Sequence, residues 1–172
     1  MNLIVVMTVL GPDRPGIVES LAELIQQHQG SWLESRLAQL QDQFAGIIEF
    51  SLPASEQAAF ESSLEVLKTS FQLQCQWSQV ANHPSQSTRS VHLECLGQDR
   101  PGIVLAITDV LHDLNINVES MDTSLENAPM SGEILFKAGF EVGLPAQIDL
   151  NVLESRLSRI GEELMLDVQI ED

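Results

Sequence analysis

The chain has 172 residues, of which 44% are apolar and 19% charged, so it can bury a core and wholesale disorder is disfavoured. Its 25 acidic and 8 basic residues give a formal net charge of −17, which argues against direct nucleic-acid binding because that affinity depends on Lys and Arg. No run approaches 18 apolar residues, and the apolar N-terminus lacks a basic signal-peptide segment. We expect a soluble, cytoplasmic protein with no membrane association.

The first half of the chain alternates strand and helix patterns. Residues 4–10 are an apolar, β-branched run that ends at Gly11, and apolar residues then recur at helical spacing from Ile17. The predicted elements, in chain order, are a strand over 4–10, a helix from 17 that fades at 28–30, strands over 32–40 and 44–52, a helix around 59–67 and a strand over 71–77.

The second half repeats this order. The segment GPDRPGIV at 11–18 returns as GQDRPGIV at 97–104, a shift of 86 positions. Late in each half the shift grows to 93, which predicts an insertion of about seven residues between the third strand and second helix of the second copy, around 143–147. Polar residues without periodicity separate the copies, so we predict domains over 1–80 and 89–172 and a linker over 81–88.

The order βαββαβ, found twice, predicts an α+β fold of two ferredoxin-like units in tandem. Each unit would hold an antiparallel sheet with both helices on one face. A unit of about 80 residues is near the size at which a single core becomes marginal. The open faces and edges of the sheets therefore invite further packing, and we expect a homo-oligomer.

The repeated loop has a chemistry of its own. Gly11 allows either a positive φ or a close backbone approach, and Asp13 is placed to cap the following helix by accepting from the Gly16 amide. Pro15 suits a first helical turn, and Gly16 leaves the helix amides accessible to an anion such as a carboxylate. The competing interpretation is a capped β–α turn that binds nothing.

A loop reading D-R-P-G-I-V inside a βαββαβ unit resembles the ACT domain, a small ligand-binding regulatory module. Two such units over about residues 2–80 and 89–171, with no enzyme attached, resemble the glycine cleavage system transcriptional repressor family. The resemblance implies a regulator that senses a small amino acid, glycine or a similar one, and contacts a protein partner, a DNA-binding transcription activator.

The resemblance also implies where the amino acid binds. In ACT domains the β1–α1 loop of one domain and the start of β2 from a partner domain hold the ligand. The implied residues are the two loops and the two β2 starts: Gly11, Asp13, Arg14, Pro15, Gly16 and Ser31, and in the second copy Gly97, Asp99, Arg100, Pro101, Gly102 and Asn117. Asn117 matches a residue that amino-acid-binding members often carry, whereas Ser31 departs from it.

Other chemistries find little support in the sequence. The four histidines and two cysteines show no metal-ligand spacing, so we expect neither a metal nor a cofactor, and the cysteines are expected to be buried thiols. No nucleophile elbow or P-loop lysine is present, so we expect no enzymatic activity. The RNA-recognition module shares the βαββαβ order, but its basic and aromatic signature is missing. The alternatives left open are a ligand-free scaffold or oligomerisation module, and a regulatory subunit of an amino-acid metabolic enzyme.

Overall fold

The computed structural model describes residues 1–80, 88–128 and 132–171. The chain divides into two compact units, Met1–Pro84 and Ser85–Asp172. Most of the predicted linker, residues 81–87, lies outside the described residues, so the predicted domain boundaries stay a prediction. The predicted architecture of two ferredoxin-like units is confirmed.

The first unit follows the predicted order of elements. Its strands are β1 (Asn2–Pro12), β2 (Ser31–Leu40), β3 (Gln43–Pro53) and β4 (Gln74–Gln79), and its helices are α1 (Ile17–Gln27) and α2 (Gln57–Phe71). The sheet is antiparallel and its strand order is β2-β3-β1-β4, which leaves β2 and β4 at the edges. The first helix buries the four apolar residues that the spacing predicted, namely Ile17, Leu21, Leu24 and Ile25.

The second unit repeats the same arrangement. Its strands are β5 (Thr88–Gln98), β6 (Asn117–Asn127), β7 (Ile134–Pro145) and β8 (Leu166–Glu171), and its helices are α3 (Ile103–Asp113) and α4 (Leu150–Leu164). The strand order β6-β7-β5-β8 is the counterpart of the first sheet. Both units therefore place the loop after their first strand at the same point of the fold.

Each unit has its own apolar core between the sheet and the helices. In the first unit, Met7 on β1, Phe50 on β3 and Phe60 on α2 are fully buried, and the Phe50 and Phe60 rings lie 5.2 Å apart. In the second unit, Leu93 on β5 and Phe140 on β7 are fully buried. The alternation of buried and exposed residues along the central strands leaves the opposite face of each sheet free of helices.

The strand register corrects the predicted position of the insertion. Val5 pairs with Phe50 and its counterpart Val91 pairs with Val142, so the third strands of the two units are 92 positions apart, not 86. The extra residues therefore lie mainly in the hairpin between β6 and β7, not around 143–147, where Gly143 is buried within β7. Since 86 and 92 differ by an even number, both alignments turn the same residues inward, and alternation cannot tell them apart.

The start of the final strand also differs from the prediction. The final strand of the first unit was expected from Phe71, but α2 continues to that residue and ends at Gln72, which adopts a left-handed conformation with φ 58°. The α4 helix ends in the same way at Met165, with φ 55°. A left-handed residue at the C-terminus reverses the chain, so β4 begins at Gln74 and β8 begins at Leu166.

Candidate ligand-binding loops

The two loops predicted to bind a ligand have the same backbone geometry. Gly16 has φ 94° and ψ −6°, and Gly102 has φ 95° and ψ −2°. These angles are those of the third residue of a type II turn, a position that favours Gly, and Pro is favoured immediately before it. The Pro-Gly pair is thus explained by a turn that leads into the helix. Pro15 and Pro101 precede the helices. The predicted place of Pro15, in the first helical turn, is therefore wrong.

The predicted capping role of the loop aspartate is wrong. The residue at the N-cap of α1 is Gly16, and no side chain accepts a hydrogen bond from the first turn of the helix. The type II turn places four residues, 13–16, between the end of β1 and the helix, so Asp13 is too far back to cap it. Its backbone N–H instead donates to Asp42 O at 2.8 Å. Asp99 is placed likewise, and its backbone N–H donates to Ile134 O at 3.0 Å.

The absence of a side-chain cap leaves both loops electropositive at the backbone. The first amides of a helix have no partner within the helix, and the helix dipole adds partial positive charge there. By contrast, α4 has Asp149 as its N-cap residue, and the carboxylate of Asp149 accepts from the backbone N–H of Asn151 at 3.0 Å. The backbone N–H groups in the first turns of α1 and α3 therefore have no side-chain acceptor of the kind that caps α4, and an anion can accept hydrogen bonds from them.

Gly11 and Gly97 have a different role from the glycines of the turn. A Cβ added to Gly11 would lie 2.8 Å from Leu73 Cδ2 and 3.0 Å from Gln72 O. A Cβ added to Gly97 would lie 2.7 Å from Met165 O. Of the two possibilities left by the sequence, the close backbone approach is the one observed, because the last strand of each unit begins directly beside these residues.

The loop arginines link the loop to the turn before the last strand. Arg14 Nη2 donates to Gln72 Oε1, and Gln72 is the left-handed residue that ends α2. Arg100 Nη2 donates to Gln98 Oε1 at 3.1 Å and contacts Met165 Sδ at 3.8 Å. The first loop is therefore held by an amide oxygen, whereas the corresponding contact in the second loop is to a weakly accepting thioether.

The structure separates the loops from the β2 starts within each unit. Ser31 is the first residue of β2 and pairs with Ser51, which pairs with Ile4 near the start of β1. The loop follows the other end of β1, and seven residues of strand from Ile4 to Gly11 span about 24 Å. Asn117 occupies the same place in the second unit, opposite Gly143. A single amino acid cannot contact the loop and the β2 start of the same unit.

A polar cluster in the first unit was not predicted. His28, at the end of α1, lies with Nδ1 3.2 Å from Glu56 Oε2 and Nε2 3.1 Å from Ser63 Oγ, and its ring packs edge-on against Phe60. The chain of contacts connects α1 to α2 and to the 3-10 turn Ala54–Glu56 before it. The three residues are 28 and 35 positions apart in sequence, so only the packing of the two helices brings them together.

The cysteines and histidines form no metal site within the described residues. Cys95 is buried, and burial together with Asp167 and Glu94 raises its pKa to about 11. Cys75 is only half-buried, which corrects its predicted full burial, because β4 is an edge strand with one side open. Burial still raises the pKa of Cys75, opposed by the charge of Lys68. Both thiols are therefore protonated at neutral pH and poor nucleophiles.

Comparison with known proteins agrees with this geometry. The family model for the ACT domain matches residues 3–78, nearly the whole first unit. A crystal structure of an unknown protein from Galdieria sulphuraria is 30% identical, with a TM-score of 0.89, over 99% of this chain and 98% of that chain. A second crystal structure, of a "putative glycine cleavage system transcriptional repressor", is 19% identical with a TM-score of 0.72, over 99% of this chain and 97% of that chain. No curated protein shows a significant match.

None of the helices in the described ranges is long and apolar enough to cross a membrane.

Proposed function

Because the chain belongs to the ACT-domain family, as a tandem of two such units, we propose that it is a non-enzymatic regulator that responds to a small amino acid. Its effector is glycine or an amino acid of similar size, and it acts by contact with a protein partner, a DNA-binding transcription activator. The name of the structurally similar repressor supports this direction.

The observation that carries the proposal is the pair of uncapped helix N-termini at equivalent points of the two units. Each offers backbone donors to a carboxylate, and each has a loop aspartate whose side chain makes no hydrogen bond or ion pair within the described residues. An α-amino acid carries a carboxylate and an ammonium a few ångströms apart. The helix amides would take the first group, and Asp13 or Asp99 would take the second.

The full site requires residues from two domains. The proposed set is Gly11, Asp13, Arg14, Pro15 and Gly16 with the equivalent residues of the second loop. It is completed from a partner domain by the residue that starts β2, Ser31, or β6, Asn117. The separation of about 24 Å between the loop and Ser31 supports this arrangement, since the start of β2 is out of reach of the loop of the same unit. Asn117 offers a donor and an acceptor on separate atoms, Nδ2 and Oδ1, whereas in Ser31 a single hydroxyl serves as both, so the two positions are not equivalent.

The charge of the chain supports a protein partner. With a net charge of −17, the surface repels a nucleic-acid backbone, while a DNA-binding protein presents a basic surface that such a chain can approach. Ligand control follows if the amino acid and the partner favour different arrangements of the domains, because the two affinities are then linked.

A capture experiment tests the proposal. The tagged chain is incubated with cell extract, either without an added amino acid or with glycine or serine at concentrations that rise in steps of about tenfold. Bound proteins are then identified by mass spectrometry. We expect one transcription factor whose recovery changes with the amino acid, and we expect the change to be lost in the double variant Asp13→Ala/Asp99→Ala. Recovery of a metabolic enzyme would instead support the regulatory-subunit alternative, and recovery that ignores the amino acid would contradict ligand control.

A further inference from the structure

The last strand of the first sheet has an open edge. The strand order places β4 beside β1, and no strand of that sheet lies on its other side. The backbone N–H of Val80 donates to Ile4 O at 2.9 Å, and backbone groups alternate in direction along a strand, so the even-numbered residues of β4 face β1. The N–H and C=O groups of Cys75, Trp77 and Gln79 therefore point away from the sheet, and no strand pairs with them within the described residues.

A groove of about 590 Å³ runs along this open edge, between β4 and α2. Its floor is formed by Cys75 and Trp77, which pack against the core of the first unit, and by Leu64 of α2. Its wall on α2 carries the charged residues Glu61, Glu65 and Lys68. A strand added beside β4 would therefore direct alternate side chains into a groove with an apolar floor and a charged wall.

The second unit has a closer contact between helix and strand at the corresponding place. The helices α2 and α4 both have 15 residues, so Lys68 corresponds to Gly161. A Cβ added to Gly161 would lie 2.8 Å from Leu166 O and 3.6 Å from Val168 Cγ2, so α4 packs directly on the start of β8. The side chain of Lys68 excludes such a close approach of α2 to β4, because close-packed atoms cannot overlap.

The wall of the groove favours a cationic side chain. Lys68 Nζ lies 2.6 Å from Glu65 Oε1, so these two charges balance each other. Glu61 accepts a hydrogen bond from Gln57 Nε2 at 3.2 Å, and it has no ion-pair partner within the described residues. The Trp77 ring lines the same groove, and aromatic rings attract cations. A lysine or arginine side chain that enters the groove beside Trp77 therefore meets a carboxylate and an aromatic ring.

A second copy of the chain does not complement this edge. Pairing β4 with β4 about a twofold axis would place two α2 helices side by side, each with its own Glu61. For a chain with a net charge of −17, bringing these like charges together costs free energy. An extended basic segment of another protein has the opposite charge, and it complements both the groove and the chain as a whole.

We propose that the open edge of β4 binds an extended segment of a protein partner, bearing lysine or arginine, as a fifth strand of the first sheet. Backbone hydrogen bonds hold such a segment, and the side chains that enter the groove select it. Antiparallel pairing is the more stable arrangement, and in it the residues opposite Cys75 and Trp77 both bond to β4 and direct their side chains into the groove. This inference rests on the proposed contact with a protein partner and assigns a surface to it.

A short synthetic peptide tests the inference on the full chain, without cell extract or amino acid. The probe is an acetylated and amidated heptapeptide of sequence TKTKTVT, which places lysine opposite Gln79 and Trp77 and valine opposite Cys75. Amide hydrogen exchange followed by NMR measures its binding. We expect the amides of Cys75, Trp77 and Gln79 to become protected, and we expect the equivalent amides of the second unit, Val168 and Ile170, to stay unchanged.

Modified peptides separate strand addition from simple charge attraction. N-methylation of the two lysines and the valine removes the N–H groups that donate to β4, so it should abolish the protection. N-methylation of the threonines, whose N–H groups point away from β4, should leave the protection in place. The peptide TETETVT, in which glutamate replaces lysine, should not bind because it would be repelled by Glu61.

A charge reversal in the chain tests the wall of the groove. Glu61→Lys is expected to weaken binding of TKTKTVT about fivefold, whereas Glu154→Lys, the same exchange at the equivalent exposed position of α4, should leave it unchanged. No protection of β4 at about 1 mM peptide overturns the inference, as does protection that survives methylation of the lysines and valine or binding that ignores Glu61→Lys. If the peptide binds as expected but the capture experiment recovers no transcription factor, the proposed function fails and the strand site stands.

Discussion

Replacing Gly16 by alanine measures the free-energy cost of placing an L-residue at a positive φ in the turn, without the steric cost of a close contact. At φ 94° an L-residue is strained, but the added Cβ would meet only Phe71 Cζ, at 3.9 Å. Left-handed strain costs about 1–2 kcal/mol, and the lower entropy of the unfolded Ala variant offsets about 0.4–1 kcal/mol of it. We therefore expect Gly16→Ala to lower the free energy of unfolding by about 1 kcal/mol.

The comparison variant is Gly11→Ala, in which the backbone angle is permissive and the space is not. Its Cβ would lie 2.8 Å from Leu73 Cδ2 and 3.0 Å from a backbone oxygen. Backbone atoms cannot move aside cheaply, so overpacking is expected to cost about 2–3 kcal/mol. Gly16→Asn should cost less than Gly16→Ala, because asparagine tolerates the left-handed region better.

Urea unfolding followed by tryptophan fluorescence measures these effects in the first unit. The chain has two tryptophans, Trp32 and Trp77, and both pack against the core of that unit. With a denaturant slope of about 1 kcal/mol/M for a unit of this size, the midpoints should fall by about 1 M for Gly16→Ala and by more for Gly11→Ala. The reasoning fails if Gly16→Ala is neutral or stabilising, or if it costs as much as Gly11→Ala.

The remaining predictions concern the aspartates and the thiols. Asp13→Ala should change the free energy of unfolding by less than about 0.5 kcal/mol because it removes no helix cap, whereas Asp149→Ala should lower it by about 1 kcal/mol. Urea unfolding followed by circular dichroism measures both variants, and equal effects would contradict the assignment of the caps. In alkylation at pH 8 read by mass spectrometry, half-buried Cys75 should be labelled before buried Cys95, and the opposite order would count against the burial assigned to them. Because the pKa of Cys95 is raised to about 11 in the folded state, its thiol contributes stability below pH 9 that is lost as the pH rises towards 11. Unfolding midpoints for wild type and Cys95→Ser across that range check the sign, since the loss should be smaller in the variant.

The fold could be predicted because its signals are periodic and occur twice. The helical spacing from Ile17 to Ile25 and the alternation of β4 each specify an element by the face it must bury. The position of the insertion could not be predicted, because a shift by an even number of residues preserves the inward face of a strand. Only the pairing of Val91 with Val142 fixes it.

The loops could be located from sequence, but their geometry could not be derived from it. The repeat identified the loop segment. Only the positive φ of Gly16 shows that this glycine belongs to a type II turn and that Asp13 therefore lies too far from α1 to cap it. The cluster of His28, Glu56 and Ser63 gives no signal in sequence spacing, since it arises from the contact between two helices. The open edge of β4 needed the strand order and register before the residues along it could be assigned.

Isothermal titration of the chain with single amino acids tests the central claim, ligand sensing by the repeated loops, most directly. We predict saturable heat with glycine or another small amino acid, weakened in Asp13→Ala or Asp99→Ala and abolished when both are replaced. Asp149→Ala, which alters a helix cap far from the loop sequence, should bind as the wild type does. No heat with any small amino acid, or binding that survives loss of both loop aspartates, would contradict the account.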